Sequence, residues 1–85
     1  MKHYIAMNGS YGCIPDACYV LKTRKDAVDT MADSLELSKR QTTELRRTGS
    51  VDCTMAQGAD YCEVSECDCP EPWIHDEQAT EEEWS

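Results

Sequence analysis

Apolar and polar residues alternate towards both ends of this chain and recur at helical spacing in its middle. Residues 2–8 (KHYIAMN) place Ile5 and Met7 on one side and Tyr4 and Ala6 on the other, which predicts a strand. Gly9, Gly12, Pro15 and Asp16 mark a loop, after which Ala17 to Lys22 (ACYVLK) returns as a second strand. Thr23 followed by Asp26 resembles a capping box with Asp in place of Glu. Ala27, Val28, Met31, Ala32 and Leu35 then recur on one face, so a helix is expected over residues 24–36. Ser38 with Gln41 repeats the box, and Gly49 stands where a left-handed C-terminal cap belongs. This second helix, from Lys39 to Arg47, has only Leu45 and Leu37 to anchor it and is expected to be short and exposed.

Ser50 to Ala56 alternates again, with Val51, Cys53 and Met55 against Asp52, Thr54 and Ala56. Gln57-Gly58 reads as a two-residue turn, and Asp60 to Glu66 as the return strand. That turn sets Cys53 opposite Cys62 and Val51 opposite Val64, with the two thiols close together on the core face. Pro70 and Pro72 end sheet pairing. The expected fold is therefore α+β: a mainly antiparallel sheet of about four strands in the order β-β-α-α-β-β, with both helices on one face. Residues 1–75 form the domain, and residues 76–85 an acidic, mobile tail with Trp84 as its large apolar group. The expected core is Ile5, Met7, Val20, Val28, Met31, Leu35, Val51, Met55 and Val64.

Eighty-five residues without a single Phe supply a modest core, at a size where a metal, cross-links or a partner often completes stability. Charge sharpens the picture. From Thr48 onward there are eleven acids and no Lys or Arg, so the whole excess behind the net charge of −9 lies in the last 38 residues. The second helix is the basic exception, with Lys39, Arg40, Arg46 and Arg47. Such a field opposes direct binding of a polyanion and suits a basic protein surface, including one built to hold phosphates. Asp52, Glu63, Glu66, Asp68 and Glu71 are the candidate partner-binding residues. The bland alternative is that these acids only keep the surface soluble, or reflect a halophilic source.

The cysteines divide into a hairpin pair, Cys53 and Cys62, and a loop set, Cys13, Cys18, Cys67 and Cys69. Four thiolates in two close pairs are the ingredients of a tetrahedral zinc site, with His3 and His75 as spare ligands. The C-x-C spacing of Cys67 and Cys69 is tighter than the usual C-x2-C, and the competing reading is of thiols acting as small hydrophobes. No cofactor is expected on that competing reading, and zinc on the other. The start of the chain lacks an apolar run of signal-peptide length, so a cytoplasmic location in a bacterial or archaeal host is expected, where thiols outlast disulfides. A disulfide-framed exported domain is the alternative. No nucleophile elbow, phosphate-cradling glycine loop or H-E-x-x-H is present, and no enzyme is expected.

The layout of a strand pair, a helix opening at T-R-K-D-A-V, a second short helix and a hairpin, in a short acidic chain, resembles small phage-encoded anti-defence proteins of the anti-CRISPR kind. The resemblance lies in architecture and charge, and it transfers no functional residue. It implies a non-enzymatic inhibitor that blocks a nucleic-acid-binding surface by mimicry or steric occlusion.

Overall fold

The computed structural model describes residues 1–84. Strands β1 (His3–Gly9) and β2 (Ala17–Leu21) are followed by helices α1 (Arg24–Leu35) and α2 (Lys39–Thr48), then by strands β3 (Ser50–Asp52) and β4 (Tyr61–Cys67). A 3-10 turn at Pro72–His75 and a one-turn helix α3 (Glu81–Trp84) complete the chain. The four strands form one antiparallel sheet in the order β2-β1-β4-β3, so the α+β class, the element order and the single helical face all stand as the pattern predicts.

Both helices start and stop on local chemistry. The Thr23 side chain accepts from Asp26 N at 3.1 Å, and Ser38 and Gln41 exchange both bonds of a capping box. Gly49, at φ 90°, closes α2 by donating to Leu45 O, a left-handed position that suits glycine. Ala27, Val28, Met31 and Leu35 from α1 and Leu45 from α2 meet Ala6, Val51, Cys62 and Val64 of the sheet. This is one compact core between two layers.

The face assigned to β1 is reversed. Ala6, not Ile5 or Met7, enters the core, and Ile5 and Met7 are half-buried on the opposite side. Apolar residues occupy both faces of β1, and the pattern alone does not say which one meets the helix. Ala6 has no bulk beyond Cβ, and α1 lies against its strand with Met31 Sδ accepting from Asn8 Nδ2 at 3.8 Å. Val20, the partner of Ile5, is buried on that outer side as well.

The hairpin also differs. β3 stops at Asp52, and residues Met55–Gln57 form a 3-10 turn ended by Gly58 at φ 100°. The Gln57 side chain accepts from Thr54 N and donates to Gln41 Oε1, which stabilises this turn over the two-residue one. Met55 is consequently 65% exposed instead of in the core. Val51 faces Cys62, two positions from the expected register, so Cys53 does not lie opposite Cys62, nor Val51 opposite Val64. A slip of two keeps every side chain on its face, whereas a slip of one would have reversed them.

Residues beyond β4 lie on the back of the sheet. His3 pairs with Cys67 and points away from the helices, and the rings of His75 and Trp84 sit against it. Trp84 is only 8% exposed. The stretch expected as a solvated tail is thus packed on the outer side of β1 and β2, with Val20 N donating to Asp76 Oδ2 at 3.5 Å. Among the described residues, no helix is long and apolar enough to cross a membrane.

Candidate metal centre

Antiparallel pairing of the first residue of β1 with the last of β4 puts His3 and Cys67 side by side on the outer face. Two residues on, Cys69 turns back towards them, and Pro70 and Pro72 redirect the chain into the 3-10 turn whose last residue is His75. Pro72 sits at the start of that turn, where a missing N–H costs nothing, and it is fully buried. One imidazole and one thiol therefore come from the sheet, and one of each from the segment that crosses it.

Their ligand atoms all lie within 4.8 Å of one another. Cys69 Sγ is 3.5 Å from His3 Nε2 and 3.2 Å from His75 Nε2, and Cys67 Sγ is 3.7 Å from His75 Nε2. Zinc bonds of about 2.3 Å to sulfur and about 2.0–2.1 Å to nitrogen, set tetrahedrally, separate sulfur from nitrogen by about 3.5 Å. The observed spacings bracket that value. The group could hold a metal ion.

The surroundings fit the same use. His3 is fully buried, and its Nδ1 is 2.6 Å from Met1 O, a carbonyl that can only accept. Nδ1 is thereby the nitrogen that donates to the carbonyl, and Nε2 is the one turned towards Cys69 Sγ, the orientation a metal-bound imidazole needs. Trp84 closes one side, its ring edge-on to His3 at 5.9 Å. Lys22 Nζ lies 5.4 Å from the centre of the Trp84 ring.

The expected four-cysteine set is not assembled. Cys13 is exposed in the loop after β1, and Cys18 sits on β2 opposite Met7, four residues or about 13 Å along β1 from His3. Burial, with Asp76 second, raises the Cys18 pKa. The two histidines that stood as spares take the places of those two thiols. What sequence reading missed is the β1–β4 register, which brings His3 beside Cys67 from the far end of the chain, and the capping role of Trp84.

Cys53 and Cys62 do approach each other, with sulfurs 3.9 Å apart, although they are diagonal and not directly opposite. Burial pushes the Cys62 thiol up to about 12 and raises Cys53 too, so both are protonated thiols near neutrality and pack as small apolar groups.

The five candidate partner-binding acids separate. Glu66 pairs with Lys2 at 3.1 Å, and Asp68 with the Met1 amino group at 2.6 Å, which lowers the Asp68 pKa. Glu71 is exposed at the start of the 3-10 turn, where its carbonyl accepts from Ile74 N. Asp52 and Glu63 instead share a cleft of about 620 Å3 at the far end of the outer face, with Tyr11, Tyr61 and the α2 residues Arg40 and Glu44. There the Tyr11 and Tyr61 rings stack 5.2 Å apart and the Tyr11 hydroxyl donates to Asp52. The β3 edge beside this cleft is blunted by side chains, since Gln41 Nε2 donates to Asp52 O and Thr48 Oγ1 to Ser50 O.

No protein-family model, curated protein or solved structure matches this chain.

Proposed function

We propose that this chain is a small zinc-stabilised α+β module, with Zn2+ held by His3, Cys67, Cys69 and His75. The observation that carries the reading is the convergence of four ligand atoms within 4.8 Å, one of them on a buried imidazole whose other nitrogen is already bonded. Two thiolates and two imidazoles fill a tetrahedral shell, leaving no position for water or substrate, which supports a structural and non-enzymatic role. A metal also answers the shortage of core in a chain this short. The test is metal content. The full chain purified from zinc-supplemented culture contains one zinc per molecule, and Cys67→Ser contains none. A folded parent chain that takes up no zinc from micromolar solution would falsify the proposal.

A second reading concerns what the module does for its host, and one observation favours it: Asp52 and Glu63 share an open cleft with two stacked tyrosines. These groups suit the Lys or Arg side chains of a basic partner, in keeping with an inhibitor that occupies a nucleic-acid-binding surface. A partner of that kind is displaced by competing DNA and by salt, and the double reversal Asp52→Lys, Glu63→Lys weakens it by about tenfold or more. Binding indifferent to salt and to the reversals removes this reading.

A further inference from the structure

The four ligands do not belong to one piece of chain. His3 and Cys67 are cross-strand partners on the sheet, while Cys69 and His75 belong to the segment 69–84 that crosses its outer side. Two of that segment's other ties are long or exposed. Asp76 Oδ2 accepts from Val20 N at 3.5 Å, at the limit of a hydrogen bond, and Lys22 Nζ donates to Glu83 O at 3.0 Å in an exposed position. Of its buried apolar residues Pro72 and Trp84, the second rests edge-on against His3, which is itself a ligand. Its composition gives little independent reason to fold, since Glu77, Glu81 and Glu83 lie within the stretch from Thr48 on that has no Lys or Arg.

We propose that the metal is a latch: its occupancy decides whether segment 69–84 lies on the sheet. The inference rests on the zinc reading above and adds the regulation of that same site. With zinc bound, the two sheet ligands and the two strap ligands share one ion, and the fixed His3 ring gives Trp84 a surface to pack on. Without zinc, both anchors weaken together, because Trp84 packs edge-on against a ligand, and Pro72 and the Lys22 contacts are left to hold the strap. The strap then leaves the outer side of β1 and β2, including Val20, while the α1 and α2 core on the other face stays folded. A fall in available zinc is thereby converted into an exposed sheet face.

The test is cleavage of the full chain by a Glu-specific serine protease, zinc-loaded and after chelation, with sites followed by mass spectrometry beside a zinc count on the same samples. Chelation is expected to speed cleavage after Glu77 and Glu81 by about tenfold or more beyond any acceleration at Glu44 in α2, which reads the global loss of stability. Trp84→Ala is expected to bind one zinc and still be cut faster in the strap. If one zinc is bound and strap cleavage is the same with and without it, the latch is wrong and the zinc module stands. Acceleration at all sites together also overturns the latch, because the metal then holds the whole fold, as does a Trp84→Ala chain cut like its parent. A chain that binds no zinc removes the zinc reading itself.

Discussion

The two ends of the outer sheet face use polar side chains in opposite ways. At one end His3, Cys67, Cys69 and His75 converge until their ligand atoms lie within 4.8 Å, with His3 fully buried and Trp84 closing over it. At the other, Tyr11, Asp52, Tyr61 and Glu63 stand around an open cleft, and Tyr11 is 64% exposed. The acid-rich composition draws attention to the second end. The number of charges along the chain nevertheless says less than their convergence in space, because Glu66 and Asp68 are already engaged by Lys2 and the Met1 amino group. Buried convergence demands compensation, by a metal or by hydrogen bonds, and exposed charge does not.

The largest expected effect breaks the comparison if it fails. With free zinc at a hundredfold excess over Kd, linkage contributes about 2.7 kcal/mol. In a domain of this size each kcal/mol moves the unfolding midpoint by about 4–8 °C. Chelation is therefore expected to lower the midpoint by roughly 10–20 °C, and Cys69→Ser to show the same loss with no further response to chelator. Glu63→Ala, at the open end, is expected to stay within about 0.5 kcal/mol of the parent. Thermal unfolding followed by circular dichroism decides the matter, and equal losses at the two ends would erase the distinction.

Thiol reactivity gives a smaller and more local contrast. Cys13 is exposed and alkylates first in the folded chain. Cys67 and Cys69 are expected to become reactive on chelation. Cys62, buried and with its thiol raised to about 12, reacts only on unfolding. Mass spectrometry of timed alkylation gives this order directly, and early labelling of Cys67 and Cys69 in zinc-loaded protein contradicts their assignment as zinc ligands.

How far the molecule was legible in its sequence follows the range of the interaction concerned. Thr23 with Asp26, Ser38 with Gln41, and Gly49 act within a few residues, and both helices appear where these signals place them. The hairpin was half legible: its faces were right because the register differs by two, but a turn stabilised by Gln57 contacting Gln41 was not visible in a Gln-Gly pair. The pairing of β1 with β4 joins distant residues and fixes both the core face of β1 and the meeting of His3 with Cys67. No local pattern encodes it. The tail was misjudged for the same reason, since Trp84 finds its partners His3 and Lys22 at the opposite end of the chain.

The smallest effect belongs to the open end and tests whether its hydrogen bond persists in water. The bond to Asp52, followed by desolvation and the carboxylate charges of Asp52 and Asp60, raises Tyr11 to about 12 from its ordinary value of 10.0. The neutral phenol is the form favoured by folding. Its contribution is therefore fully present below about pH 10 and is lost as pH rises through about 12. Because Tyr11 lies at the surface, the consequence is a late titration and not a large change in stability. Tyrosinate absorbance of the folded chain is expected to show one equivalent ionising near pH 12, absent in Tyr11→Phe and moved back towards 10 in Asp52→Ala. A parent curve that matches Asp52→Ala would mean that solvent has replaced the bond, leaving the cleft end with no fixed polar contact between its tyrosines and its acids.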